Sequence, residues 1–204
     1  MNRLMRAVWR RVLAWLNPRP DPRVQARARR QEIGDRGEAS TRAMLAPLTS
    51  AGWKILHRRA LPGSPADLDH VLVSPGGTGV VIVDSKQWHA QRPTWLVQGR
   101  VHCGTEDRHG QVEQVASYAR RAAERLSLPG DAVWPLVVVH GSPVAGGYLK
   151  TMAPGFPGPV WVVSPGQMVA MLLAAGRRYG RDDRAAERLE ERVAVVFPPY
   201  VRKA

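Results

Sequence analysis

Cysteine is nearly absent from this sequence of 204 residues, and its scarcity limits the chemistry that the chain can perform. Cys103 is the only cysteine, which excludes an internal disulfide and any zinc site built from several cysteines. A single cysteine also fits a reducing compartment. We therefore expect a cytoplasmic protein, with a peripheral position at the inner face of the membrane as a further option.

Long apolar runs are missing as well. No run reaches the roughly 18 residues that a membrane-spanning helix requires. A secretory signal peptide is not expected, because arginines interrupt the N-terminal apolar residues and only Val12–Leu16 is free of charge. Hydrophobic residues make up 44% of the chain and charged residues 23%, which is typical of a folded domain.

Acidic residues are few, and the imbalance is concentrated at one end. The chain has 17 acidic and 30 basic side chains, a net charge of +13, and residues 1–30 contribute +8 of it. Within that segment, residues 2–16 have the period of a basic amphipathic helix. Its partner could be an anionic membrane surface, DNA phosphate or the protein's own domain. Nucleic-acid contacts are assigned to three arginines of the following connector: Arg27, Arg29 and Arg30.

A β-hairpin is predicted near the middle of the chain. The two strands, His70–Val73 and Val80–Val83, are joined by the turn residues Ser74-Pro75-Gly76-Gly77. If the hairpin is centred on the two glycines, residues pair when their numbers sum to 153. This register places Asp69 opposite Asp84, on the same face of the sheet.

The charges at the end of this hairpin predict a metal site. Lys86 follows Asp84 by two residues and therefore lies on the same face. Two carboxylates in direct opposition repel each other, and a divalent cation between them removes that cost. An ordinary ion pair at the strand end is the alternative for Asp84 and Lys86 taken alone.

A helix over residues 31–49 is expected to add a third carboxylate. One face of this helix is predicted to be buried, and Glu38 lies on it, where a carboxylate needs a partner. If the helix instead begins near Asp35, its dipole alone would account for Glu38. The residues of that face are Gly34, Glu38, Thr41, Leu45 and Leu48.

The remaining pattern alternates strands and helices, which is typical of an α/β domain with a mixed sheet covered on both sides. We expect a polar, solvated loop at Gly104–Gly110, because the His and Cys spacing around it fits no zinc pattern. Further strands are predicted at Gly52–Arg59, Trp95–Val101, Trp134–His140, near Gly147–Thr151 and at Val160–Val163, and further helices at Gln111–Leu126, Pro165–Ala175 and Asp182–Val195.

Taken together, these motifs resemble the nuclease-related domain, NERD, of the PD-(D/E)xK nuclease superfamily. The matching features occur in the same order: Gly37-Glu38 in a helix, Asp67-Leu68-Asp69-His70 entering a strand, Asp84-Ser85-Lys86 ending the next, and Gln114 with Tyr118 on a later helix. The resemblance implies a restriction-endonuclease-like mixed β-sheet flanked by helices, here preceded by the basic amphipathic helix. The predicted domains are 1–30 for that helix and connector, 31–175 for the nuclease core and 176–204 for a C-terminal helix and tail.

The resemblance also implies a Mg²⁺-dependent hydrolysis of phosphodiester bonds in nucleic acid, with DNA as the expected substrate and Mn²⁺ as an alternative ion. It assigns catalytic roles to Glu38, Asp69, Asp84, Lys86 and Gln114, and metal contacts to Glu38, Asp69, Asp84 and the backbone carbonyl of Ser85. Tyr118 is assigned to nucleic-acid binding.

Two features of the chain depart from the family pattern. Asp84 stands where glutamate is commoner, and no proline directly precedes Asp69. Asp67 competes for the role of Asp69 but lies one step further from the hairpin. The alternative function is a non-catalytic module that keeps the nuclease fold and binds nucleic acid or a membrane surface.

Overall fold

The computed structural model describes residues 21–201, and the chain divides into two compact units, residues 1–35 and 36–204. The predicted helix over residues 2–16 lies outside the described residues. In the first unit, residues 22–35 belong to helix α1, which spans Pro22–Leu45. Arg27, Arg29 and Arg30 all belong to this helix, and Arg27 and Arg29 are exposed on it.

No helix between residues 21 and 201 is both long enough and apolar enough to cross a lipid bilayer.

The second unit is built on a mixed sheet, as predicted, and the sheet has six strands. Its strands lie in the order β1-β2-β3-β7-β9-β8, with β3, β7 and β9 parallel and the other neighbours antiparallel. These strands are β1 (Lys54–Ala60), β2 (Asp67–Val73), β3 (Val80–Gln87), β7 (Val133–His140), β8 (Tyr148–Met152) and β9 (Pro159–Val163). A smaller sheet contains β4 (Thr94–Val97), β5 (Arg100–Cys103) and β6 (Glu106–Asp107).

Helices cover both faces of the large sheet because its strands are apolar on both sides. Helices α2 (His109–Leu126) and α4 (Asp183–Val196) pack on one face, and α3 (Pro165–Tyr179) packs on the other with the end of α1. A 3₁₀ turn over Ala46–Ala51 connects α1 to β1. The predicted mixed sheet between helices, a restriction-endonuclease-like arrangement, is confirmed.

The central hairpin has the predicted register. Four pairs from His70–Val83 to Val73–Val80 join β2 to β3, and the numbers of each pair sum to 153. The Oγ atom of Ser74 accepts hydrogen bonds from the backbone N–H groups of Thr78 and Gly79, both at 3.1 Å. The chain reverses through Gly77, whose φ of +63° favours glycine.

Two predictions about the segment after β3 are wrong. The strand expected at Trp95–Val101 is a hairpin of β4 and β5, because the chain turns through Gln98 and Gly99 with φ of +49° and +79°. The loop expected at Gly104–Gly110 contains β6 and the start of α2. The carboxylate of Asp107 explains why this segment is regular, since it accepts hydrogen bonds from the side chain of Arg100 and the backbone N–H of His109, both at 2.8 Å.

The turn of the hairpin is also held by close packing, which leads to a stability prediction. A Cβ atom at Gly77 would lie 2.4 Å from the backbone carbon of Ala185 in α4, and its φ is positive. We expect Gly77→Ala to lower the free energy of unfolding by more than about 2 kcal/mol, since strain and overlap both act. Urea denaturation measures the change.

The matched control is Gly99→Ala. Gly99 has a φ of +79°, but within the described residues 21–201 no atom beyond its two chain neighbours lies within 4 Å of the position that a Cβ would take. Backbone strain alone should cost about 1 kcal/mol there. Equal losses in the two variants would contradict the close packing of the turn against α4.

Candidate active site

The candidate site forms where β2 and β3 separate. The ladder ends at His70–Val83, so the expected backbone pairing of Asp69 with Asp84 does not form. Instead, the backbone N–H of Ser85 donates a hydrogen bond of 2.7 Å to Oδ2 of Asp69. The Asp69 carboxylate thus takes the place of a backbone acceptor, and this fixes its side chain at the end of the strand pair.

Asp84 and Lys86 form the second part of the site. They project from the same face of β3, and Nζ of Lys86 lies 2.6 Å from Oδ2 of Asp84. The Asp84 side chain is 10% exposed and the Lys86 side chain 25%. A carboxylate this deeply buried requires a compensating cation, and Lys86 supplies it in the free protein.

The carboxylates at this position disfavour each other's charge. Burial raises the pKa of Asp69 well above its ordinary value, and the negative charges of Asp84 and Glu38 raise it further. Burial also raises the pKa of Asp84, although Lys86 opposes the shift. The two groups therefore carry their negative charges at a free-energy cost that a bound cation would remove.

Lys86 is held in its charged form. Burial alone would lower the pKa of its ammonium, but Asp84, Asp69 and Tyr118 more than offset that effect, and the pKa is raised. The ammonium therefore stays protonated at neutral pH. It can donate hydrogen bonds or stabilise negative charge, but it cannot accept a proton.

Glu38 reaches the site from α1. Its charge acts on Asp69, and its side chain is 23% exposed. Oε2 of Glu38 lies 3.8 Å from Nε of Arg58 in β1. Because α1 begins at Pro22, Glu38 lies in the helix interior, and the predicted alternative of a helix-terminal glutamate is wrong.

A buried chain of hydrogen bonds ties α1 to the site-bearing strand. The hydroxyl of Ser85 donates to Oγ1 of Thr41 at 2.8 Å, and Oγ1 of Thr41 lies 2.7 Å from Nε2 of His140. Burial lowers the pKa of His140, so its ring is neutral and can accept the Thr41 proton. Thr41 lies one helical turn beyond Glu38, and this contact therefore positions the Glu38 carboxylate beside β3.

Gln114 and Tyr118 approach from α2, on the face of the sheet that carries Asp84. The Gln114 amide donates a hydrogen bond of 2.6 Å to the hydroxyl of Tyr118. Tyr118 is buried, whereas Gln114 is exposed. Burial and the charge of Asp84 raise the pKa of Tyr118, so its hydroxyl stays protonated beside the carboxylates.

Two residues near the site were not assigned a role from the sequence. Asp67 begins β2, and its negative charge raises the pKa values of both Asp84 and Tyr118. Its even spacing from Asp69 was a usable signal, because alternate residues of a strand share a face. Arg58 gave no signal, since its contact with Glu38 joins segments that lie far apart in the sequence.

The donor set fits a divalent cation that keeps part of its water shell. Among residues 21–201, no three Asp, Glu, His or Cys side chains form a ready metal cage. Mg²⁺ does not need one, because one or two carboxylates suffice when water and phosphate oxygens complete its shell. The crowded, buried pair of Asp69 and Asp84 meets that requirement.

Comparisons with known proteins identify one family. The family model described as "Nuclease-related domain" matches residues 33–140, which include every predicted site residue except the three connector arginines. The chain matches no curated protein and no solved structure.

The raised pKa of Asp69 leads to a stability prediction. Its ionised form is disfavoured in the folded protein, so wild-type stability should fall as pH rises from the usual carboxyl range through the raised pKa. Asp69→Asn removes that charge and keeps an acceptor for Ser85. In metal-free buffer at pH 7 we expect it to raise the free energy of unfolding by on the order of 1–2 kcal/mol, a gain that disappears below about pH 4.

Asp107→Asn is the control of opposite sign. The hydrogen bond from Arg100 lowers the pKa of Asp107, so its charge contributes stability above the usual carboxyl range, and that contribution is lost as pH falls. Denaturant midpoints measured between pH 3 and 8 compare the variants. A loss of stability in Asp69→Asn at pH 7 would contradict the electrostatic account of the site.

Proposed function

The chain belongs to the nuclease-related domain family, and we propose that it hydrolyses phosphodiester bonds of nucleic acid, with DNA as the substrate and Mg²⁺ or Mn²⁺ as the metal. The observation that carries this proposal is the meeting of Asp69, Asp84 and Lys86 at the end of one strand pair. Ser85 donates its N–H to Asp69 there, and Lys86 lies 2.6 Å from Asp84.

Asp69 and Asp84 are the proposed side-chain ligands of the metal, with the backbone carbonyl of Ser85 and the carboxylate of Glu38 as further donors. A divalent cation supplies Lewis-acid chemistry, since it polarises a phosphoryl oxygen and lowers the pKa of bound water. The buried carboxylates favour this role because a cation relieves their mutual repulsion.

Lys86 is proposed to stabilise the negative charge that develops on the phosphate. Its raised pKa supports this role over that of a general base, because a protonated ammonium has no lone pair to accept a proton. The Lys86 ammonium is a compact charge and can also orient an attacking water by donating a hydrogen bond.

Gln114 and Tyr118 are proposed to complete the site from α2. Their hydrogen bond of 2.6 Å holds the Tyr118 hydroxyl in place, and the raised pKa keeps it a hydrogen-bond donor. A phosphate oxygen or a bound water is the partner that such a donor suits. Gln114 then acts on the substrate directly or by orienting Tyr118.

The test is cleavage of linear and supercoiled DNA by the 204-residue chain with Mg²⁺ or Mn²⁺. Asp84→Ala and Lys86→Ala should each reduce the rate by at least about a hundredfold, since both remove charge from the reacting centre. Lys150→Ala is the control, because Lys150 is exposed on β8, where its ammonium lies over the Trp161 ring. It should cut at the wild-type rate.

Calorimetry with Mn²⁺ separates binding from turnover. Wild type should bind the ion, and Asp69→Asn should bind it at least about tenfold more weakly because a carboxylate ligand is lost. Nucleic-acid binding with no cleavage by wild type would reject catalysis and favour the non-catalytic alternative. Equal cleavage by wild type and both site variants would reject the residue assignments.

The N-terminal segment is proposed to provide targeting. The basic pattern of residues 2–16 fits an anionic membrane surface at the cytoplasmic side, and Arg27, Arg29 and Arg30 fit nucleic-acid phosphate. Deleting residues 2–16 should weaken binding to anionic liposomes or to DNA while the remaining domain stays folded. Sedimentation with liposomes and anisotropy with labelled DNA measure the two interactions, and unchanged binding to both would reject the targeting role.

A further inference from the structure

Arg58 has an unusual backbone conformation in the middle of a strand. Its φ is +46°, a left-handed value that residues with a side chain rarely adopt. The ladder between β1 and β2 includes the pairs His57–His70 and Arg59–Leu68 but not Arg58 with Asp69. The distortion therefore lies at the level of the first sheet carboxylate.

The C-terminal tail supports this distorted segment from the outer side of β1. The backbone N–H of Tyr200 donates to the carbonyl of Arg58 at 2.8 Å, and the N–H of Ala60 donates to the carbonyl of Pro198 at 2.8 Å. Hydrogen bonds on both sides of Arg58 make the conformation a built feature of the fold. A strained residue held in this way at a site points to a role for its side chain.

The side chain of Arg58 is only partly satisfied inside the protein. Its Nε atom is buried and, among residues 21–201, has no hydrogen-bond acceptor. Oε2 of Glu38 lies 3.8 Å away, which is too far for a hydrogen bond but close enough for attraction between charges. The Arg58 side chain is nevertheless 41% exposed, so its guanidinium is accessible to a ligand from solution.

Charge balance identifies the ligand. A phosphodiester that approaches Asp69, Asp84 and Glu38 brings another negative charge and needs a cation that faces solvent. Lys86 already lies 2.6 Å from Asp84, and its side chain is 25% exposed, so it is less accessible to a phosphate than Arg58, which is 41% exposed. Arginine presents a fork of N–H donors that matches a phosphate group.

We propose that Arg58 binds a backbone phosphate of the nucleic acid next to the cleavage site, exchanging its loose contact with Glu38 for that phosphate. This inference rests on the proposed function and names a substrate-contacting residue that the family resemblance does not assign.

The test measures binding rather than cleavage. Affinity for a short labelled DNA duplex of arbitrary sequence is measured by anisotropy across a range of salt concentrations, with Ca²⁺ present. Arg58→Gln should bind about tenfold more weakly, and its plot of log affinity against log salt should be less steep by about 0.9, the value for one phosphate contact. The loss should be the same for different DNA sequences, since phosphate contacts carry no sequence information.

Arg58→Gly separates this role from a structural one. Glycine adopts a positive φ without strain, so this variant should melt at a higher temperature than wild type while losing the same binding affinity. Arg120→Gln is the matched control: Arg120 is 48% exposed on α2, pairs with Glu124, and should bind DNA as wild type does. The same Arg120→Gln variant should leave the salt dependence unchanged.

The outcomes distinguish this inference from the proposed function. A wild-type protein that does not bind nucleic acid would overturn both. A wild-type protein that binds and cleaves DNA, together with an Arg58→Gly variant of unchanged affinity and salt dependence, would overturn the role of Arg58 alone. Weaker binding in both Arg58 variants with a raised melting temperature in Arg58→Gly would support it.

Discussion

Repulsion between buried carboxylates is the constraint on which the site depends. Asp69 and Asp84 lie where β2 and β3 separate. Burial raises both pKa values, the charges of Asp84 and Glu38 raise that of Asp69 further, and the charge of Asp67 raises that of Asp84. The fold tolerates this cost through two contacts: the N–H of Ser85 neutralises part of the charge on Asp69, and the ammonium of Lys86 lies beside Asp84. Neither contact fully compensates the two carboxylates, so Asp69 and Asp84 would gain further from a bound divalent cation.

The site also depends on a core contact on the opposite face of the sheet. Ser85 points away from Asp84 and Lys86, toward Thr41 of α1, and their hydroxyls form a hydrogen bond. Because Thr41 shares a helix with Glu38, one buried contact sets the position of a carboxylate that acts on the other face. The end of β3 thus contacts α1 through Ser85 on one face of the sheet, while Asp84 acts on Tyr118 of α2 on the other face.

Much of this arrangement could be predicted from the sequence. Alternation in β2 and β3, with the Gly76-Gly77 turn between them, was enough to predict the register and to place Asp69, Asp84 and Lys86 on one face. The spacing of Thr41, Leu45 and Leu48 likewise predicted the buried face that α1 and the following 3₁₀ turn present, although the α-helix itself ends at Leu45 and not near residue 49. These features are local, and period and turn chemistry determine them.

The remainder arises from contacts between distant segments, which periodicity does not encode. Arg58 of β1 contacts Glu38 of α1, and its carbonyl accepts a hydrogen bond from the backbone N–H of Tyr200 in the tail. The hairpin of β4 and β5 was missed because Gln98 adopts a positive φ that its residue type does not signal. Asp67 was placed outside the site because the strand was expected to begin later than it does.

The tail has one more physical consequence, which concerns the edge of the sheet. β1 is an edge strand, and Pro198, Pro199 and Tyr200 run along its outer side, with Arg59 and Pro199 forming an antiparallel bridge. Unpaired edge strands invite other chains to add to a sheet. Pro198 and Pro199 have no backbone N–H, so they cannot donate hydrogen bonds to a further strand that pairs with the tail. The tail therefore disfavours the addition of another strand beside β1, and this protects the edge of the sheet near Arg58 from self-association through β-strands.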